Sequence, residues 1–310
     1  MEQSIIIAIL ASAIVSGTPI LFAALGEILT ERAGVLNLGV EGMMLVGAVT
    51  GFMTTVATSN PWLGVGAAAL SGGALALVHA FLSITLRANQ VVSGLALTLF
   101  GTGFSGYIGK SLVGVPAPAT FKPVIVPFLG NIPVLGEIFF RHDYLVYITY
   151  LLVPLLWVYL YKTRSGLNLR AIGENPAASD ALGVNVFFLR YLYVIVGGML
   201  AGLGGAYLSL AYAPTWLENM TAGRGWIAVA LVIFASWDPA KALVGAYIFG
   251  GVDAMGYRLQ AVGVSVSAFF LKMLPYILTI VVLIITTRQT MKKHVGAPGA
   301  LGLAYDREER

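Results

Sequence analysis

"GMMLVGAVTGFMTTVATSNPWLGVGAAALSGGALALVHAFLSITL", residues 42–86, contains no Asp, Glu, Lys or Arg. A run of that length holds two helices of about 20 residues, each enough to cross a hydrocarbon core about 30 Å thick. The Asn60-Pro61 pair near its middle is a turn signal that separates the two. Residues 88–109 and 191–217 are likewise free of those four residue types. The chain as a whole is 58% hydrophobic and 10% charged, whereas soluble domains carry about 25% charged residues. The expected fold is an all-α polytopic membrane protein of about 8–10 transmembrane helices, some of them short or broken.

Composition also excludes several functions. There is no cysteine, which removes disulfides, thiolate metal sites and cysteine nucleophiles. His79, His142 and His294 are scattered without metal-ligand spacing, so no metal is expected. No G-x-x-x-x-G-K-[ST] loop occurs, so ATP is not expected on this chain. Paired catalytic acids are missing too, and the reading is not an enzyme. The net charge of +4 fits basic cytoplasmic loops rather than nucleic-acid binding. The N-terminus lacks a basic leader and reads as a first span, not a signal peptide.

Nine hydrophobic spans are predicted, at roughly 4–28, 35–57, 62–86, 89–112, 144–162, 190–213, 223–237, 241–258 and 264–287. The seventh and eighth are short, which suggests re-entrant or broken segments. Residues 1–290 form the transmembrane domain, with an extracytoplasmic loop at 113–143 and a cytoplasmic loop at 164–189. Residues 291–310 form a cytoplasmic tail. With the C-terminus inside, twelve Lys and Arg fall on the cytoplasmic side and five outside, Arg224 among the latter. Residues 60–77 and 238–255 resemble each other, with Pro61 matching Pro239 and Gly72-Gly73 matching Gly250-Gly251. The two turns face opposite sides, as an inverted repeat requires.

Three constellations carry candidate function. In "TERAGVLNLGVEGMMLVGA", residues 30–48, Glu31 and Arg32 read as a solvated turn. Asn37 and Glu41 are four apart and share a helix face where helical. Gly34, Gly39 and Gly42 loosen that helix, and an acid this deep faces a cavity or a partner. Glu41 paired with Arg32 is the competing reading. In the cytoplasmic loop, Asn175 suits an N-cap, Pro176 the first helical position and Gly183 the C-terminal cap. In residues 218–255, Gly223 and Gly225 bracket Arg224, so amides and a guanidinium meet at a half-helix start that favours polar or anionic groups. Trp226 and Trp237 suit either that site or interfacial anchoring. Asp253 and Lys272 are intramembrane charges, each the other's candidate partner. Gln90, Ser93 and Thr98 either line a solute path or bond their own helix backbones.

The segment T-E-R-A-G-V-L-N-L-G-V-E-G-M-M resembles the signature of permeases in the branched-chain amino acid and simple-sugar ABC importer superfamily, nucleoside branch. "GENPAASDALGV", "GRGWIAVALVIFASWDP" and "LPYILT" match further segments of that family in order. The resemblance implies the permease subunit of an ATP-driven importer, for nucleosides, in a bacterial inner membrane. A simple-sugar permease and an ion-coupled transporter are the alternatives. It supports a substrate path at Asn37 and Glu41, to which the reading of the residues adds Gln90, Ser93, Arg224, Trp226 and Asp253. It implies ATPase coupling through Gly173, Glu174, Asn175, Pro176, Ala177, Asp180 and Gly183. The implied partners are a second homologous permease, a cytoplasmic ATPase holding ATP and Mg, an extracytoplasmic solute-binding protein and the lipid bilayer.

Overall fold

Gly34 adopts φ +82°, and this left-handed residue ends the first helix. Three residues later the Asn37 side chain accepts the Gly39 N–H at 2.9 Å, closing an Asx turn. Together they hold 33–39 out of helix, so the second helix begins at Val40 and not at 35. The computed structural model describes residues 2–261 and 297–307, with isolated positions between 270 and 284. The predicted span 264–287 and Lys272 lie outside the described residues.

The helices are α1 (Glu2–Arg32), α2 (Val40–Thr58), α3 (Pro61–Ala80) and α4 (Gln90–Gly109). After a loop come α5 (Leu135–Phe139), α6 (Tyr144–Lys162), α7 (Arg164–Glu174) and α8 (Pro176–Ala181). The chain then forms α9 (Val186–Tyr207), α10 (Arg224–Phe234) and α11 (Pro239–Ala261). Short π-helical segments, Phe81–Thr85 and Leu208–Tyr212, extend α3 and α9. Among the described residues six helices are long and apolar enough to cross a membrane. The predicted span 223–237 is only 11 helical residues, about 16 Å long, and cannot cross alone. The eighth span is longer than predicted, at 23 residues. Loop 113–143 contains α5 and a two-stranded hairpin, Val124–Ile125 against Arg141–His142.

The internal repeat is structural. Asn60 caps α3 by accepting the Trp62 N–H at 3.0 Å, with Pro61 following. Asp238 caps α11 by accepting the Ala240 N–H at 2.9 Å, with Pro239 following. Trp62 packs on Phe121 and Tyr144 at one end of the molecule. Trp237, beside the α11 cap, bonds the last turn of α1 at the other end. Thus α1–α2–α3 and α9–α10–α11 run in opposite senses. The packing follows the same symmetry: Gly72 of α3 lies against Gly198 of α9, and Gly250 of α11 against Gly17 of α1. Small residues let helix backbones approach closely where lipid supplies no hydrophobic drive between helices.

The core sits where α1, α2 and α9 meet, around Phe22, Met44, Phe52 and Tyr207. Outward positions such as Leu70, Leu99 and Leu151 are exposed and apolar, the surface a lipid environment calls for. At the α2–α9 crossing, a Cβ on Gly47 would lie 2.5 Å from both Cα and O of Gly202. Gly47→Leu is therefore expected to destabilise the protein by about 1–3 kcal/mol or more through overpacking. Gly66, with open space around it, is the control: Gly66→Ala leaves the thermal midpoint of the detergent-solubilised protein unchanged while Gly47→Leu lowers it.

Candidate functional site

The break at 33–39 lies among helices, so its backbone groups must be bonded within the protein. The N–H groups of Ala33, Gly34 and Val35 bond the last turns of α1, and five further groups are met by side chains from elsewhere. Leu36 N–H donates to Gln90 Oε1 at 2.7 Å, and Asn37 N–H to Glu27 Oε1 at 3.0 Å. Ala33 O accepts from Arg190 Nε at 3.1 Å, and Leu38 O from Thr98 Oγ1 at 2.8 Å. His79 Nε2 lies 3.0 Å from Leu36 O. A carbonyl only accepts, so Nε2 carries the proton, which leaves Nδ1 to accept from Ser93 Oγ at 3.0 Å. Gln90, Ser93 and Thr98 thus serve the break directly or through His79. Their hydrogen bonds here go to the break or to His79 rather than to their own helix backbones. Asn37 is buried, its Nδ2 3.5 Å from the Met43 sulfur. Glu27, His79 and Arg190 were not singled out as site residues by the sequence. The signal was available, because ionisable groups inside apolar spans need partners.

Glu41 opens α2 and reaches α10. Its Oε1 accepts from Thr221 Oγ1 at 2.6 Å and from Gly223 N–H at 2.8 Å. Its Oε2 accepts from Gly225 N–H at 2.6 Å. Gly223 sits at φ +86°, which turns the chain into α10 with its amides toward the carboxylate. Gly225 leaves no room for a Cβ, which would stand 2.5 Å from Glu41 Cα. The sequence reading expected an anionic group at this half-helix start, and the group is the protein's own Glu41. The competing pairing of Glu41 with Arg32 does not form. Arg32 donates to Ser236 O and Trp237 O, both at 3.4 Å.

The sequence reading counted Arg224 with the outside charges and placed it at a half-helix start. It is buried at the start of α10, paired with Asp253 of α11 at 2.8 Å and stacked 5.4 Å from the Tyr212 ring. Asp253 therefore has Arg224 as its cation. Trp226 is half-buried on the first turn of α10. Two other readings are overturned. Glu31 is not on a solvated turn: it is 1% exposed and accepts from Trp237 Nε1 at 2.5 Å. Trp237 is accordingly a buried donor, not an interfacial anchor. The chain returns from α10 to this point, which covers both groups.

At the end of the molecule where α1 finishes, Asn175 Oδ1 accepts the Ala178 N–H at 2.9 Å, Pro176 follows, and Gly183 adopts φ +85°. This is the capped helix the sequence specified. Gly173 packs where a Cβ would strike Arg32 O. Glu174, Asn175 and Ala177 are exposed, and Asp180 is half-buried.

The comparisons with known proteins agree with one another. A candidate glucose ABC transporter permease of Haloferax volcanii is 46% identical, covering 94% of this chain and 95% of its own length. A guanosine ABC transporter permease of Bacillus subtilis is 34% identical, covering 97% of each chain. A nucleoside ABC transporter permease of Lactococcus lactis is 33% identical, covering 96% of each. No solved structure matches significantly. The family described as "Branched-chain amino acid transport system / permease component" matches residues 9–286. That match takes in Glu41, the break at 33–39, α10 and every helix that holds them, so the chain belongs to this permease family.

Proposed function

We propose that this permease carries a small neutral polar solute, a nucleoside, in an ATP-driven importer. The observation that carries the reading is charge balance. The Glu41 carboxylate lies at the N-terminal ends of both α2 and α10, where it offsets two positive helix ends. Arg224 and Asp253 offset each other. Around the break, what remains is amide and hydroxyl chemistry. Asn37 Nδ2 lies against the Met43 thioether, and Gln90 Nε2 is buried without a partner among the described residues. Donors of this kind suit the heteroatoms of a nucleoside and offer no strong field to an ion. The guanosine and nucleoside permeases among the relatives support the same solute class.

A simple sugar is the second reading, favoured by the candidate glucose permease at 46% identity. An ion-coupled transporter fits less well, because Glu41 and Asp253 are both committed to fixed partners.

The face carrying α7, α8 and residues 297–307 is the cytoplasmic one. Among the described residues it gathers Arg32, Arg87, Lys162, Arg164, Arg170, Arg190, Lys241 and Arg307, against Lys110, Lys122 and Arg141 opposite, the bias that cytoplasmic loops carry. The C-terminus lies inside on this reading and the N-terminus outside, in the cytoplasmic membrane. Segment 173–183 meets a separate ATPase that holds ATP and Mg. A second permease completes the path, and a solute-binding protein delivers to the outer face. ATP binding shifts α8, and the helices around the two breaks expose the path to alternate sides.

Two measurements follow. Membrane vesicles bearing the assembled importer are expected to take up radiolabelled guanosine, to stop when ATP hydrolysis is blocked, and to be competed by nucleosides and not by glucose. Competition by glucose alone selects the sugar reading, and uptake that persists on an ion gradient without ATP removes the importer reading. Glu41→Gln replaces one acceptor oxygen by a donor facing other donors. Hydrogen bonds to charged groups contribute about 1.5–3 kcal/mol each, so uptake per inserted chain is expected to fall at least about tenfold. Undiminished uptake by this variant would show that Glu41 does not organise the path.

A further inference from the structure

Helix α8 has only six residues, and within the coupling segment it is Gly173, ahead of α8, that packs against Arg32 and Gly34 at the edge of the break. The C-terminal segment 297–307 touches both α8 and the break. On the α8 side, Arg307 donates two hydrogen bonds to the Asp180 carboxylate, at 2.7 and 2.6 Å. Tyr305 OH donates a third at 3.1 Å. Ala300 N–H donates to Gly173 O at 2.8 Å, and Gly299 N–H to Glu174 Oε2 at 3.2 Å. On the other side, Gly302 N–H donates to Gly34 O at 3.3 Å, inside the break itself. Leu303 O accepts from Arg190 Nη1 at 3.4 Å, and the same guanidinium holds Ala33 O. Asp306 forms an ion pair with Arg87 in the α3–α4 turn. Ala300 and Tyr305 are buried, and the Tyr305 ring packs 5.7 Å from Phe187 of α9.

We propose that residues 297–307 are a clasp whose Tyr305, Arg307 and backbone carry displacement of α8 to the 33–39 break. This rests on the reading of 173–183 as the segment that meets the ATPase. Three observations argue for transmission and not simple covering of the surface. The segment is bonded at both ends of the route. Its bonds to Gly173, Gly34 and Arg190 are made by main-chain atoms, which fix position more tightly than a long side chain does. And its attachment to α8 converges three hydrogen bonds on a single carboxylate, a geometry in which bidentate arginine adds orientation as well as strength. The hydrogen bonds from Arg307 hold the Asp180 carboxyl below the usual carboxylate range. The link therefore remains charged above the unperturbed aspartate pKa of about 4, and is lost only as pH falls below that range.

The test uses the complete importer, with its second permease and ATPase, in proteoliposomes. Uptake of radiolabelled guanosine and ATP hydrolysis are measured on the same preparation. The variants are a chain ending at residue 296, Arg307→Asp, Asp180→Arg, and the last two combined. The expected result is that truncation and Arg307→Asp keep the ATPase bound and hydrolysing while uptake falls at least about tenfold. The combined reversal is expected to return uptake to within about threefold of the unaltered chain, by restoring the charged pair. A purely structural role lowers uptake and hydrolysis together and overturns the clasp, as does unchanged uptake after truncation. Should the truncated chain fail to insert, the reversal pair decides: no recovery in the combined variant overturns the proposal. Hydrolysis without guanosine or glucose uptake in the unaltered complex overturns the transport reading, and the clasp with it. Normal uptake by both unaltered and truncated chains overturns the clasp alone.

Discussion

A peptide group without a partner costs several kcal/mol inside a bilayer, and residues 33–39 give up their helical bonds there. That constraint organises the molecule. Leu36 and Asn37 are met by Gln90 of α4 and Glu27 of α1, Leu36 O by His79 of α3, and Ala33 O by Arg190 of α9. Four helices must converge on the break for it to exist. Each contributes a polar side chain that would be expensive elsewhere in an apolar span. The glycine contacts that bring those helices together, such as Gly47 on Gly202 and Gly42 on Leu97 O, are the packing counterpart of the same requirement.

The inverted repeat explains why a single acid serves two breaks. Helices α2 and α10 are the second elements of the two halves, and both start inside the protein after irregular backbone. A pseudo-two-fold relation brings their N-terminal ends toward each other. Two positive helix ends in proximity repel unless an anion stands between them, and Glu41 is that anion. It belongs to α2 by sequence and caps α10 by geometry. Arg224 is then left without Glu41 as its partner, and Asp253 on α11 supplies the counter-charge at 2.8 Å.

Much of this was legible in the sequence where the information is local. Charge-free runs gave the helices, Asx-Pro pairs gave the starts of α3, α8 and α11, and Gly34, Asn37 and Glu41 marked an irregular start to α2. The errors were all about distant contacts. Glu31 looked solvated because its neighbours are a turn, and its partner Trp237 lies 206 residues away. Arg224 looked external because a hydrophobic run normally crosses the membrane, whereas α10 starts inside the fold and turns back. Gln90, Ser93 and Thr98, read as path residues or self-bonded ones, have a further role that spacing does not reveal. Their hydrogen bonds serve a loop more than 50 residues earlier, directly or through His79. Hydropathy reports how apolar a segment is, but not which of its few polar groups will meet.

The same economy of polar groups bears on how movement reaches the site. A rigid helix passes force along its axis, but α8 is only six residues long. The break at 33–39 is irregular backbone, so its position depends on what is attached to it. Those attachments are of two kinds: side chains within the membrane helices, and the main chain of 297–307 at Gly34. The first kind moves only when whole helices move. The second is bonded to Asp180 of α8 and is anchored through Ala300 and Tyr305 at the edge of the core. A segment with alternative sets of hydrogen bonds at its edge shifts between discrete arrangements more readily than a packed helix does, and Gly34, with Arg190 beside it, is the point where such a shift would enter the path.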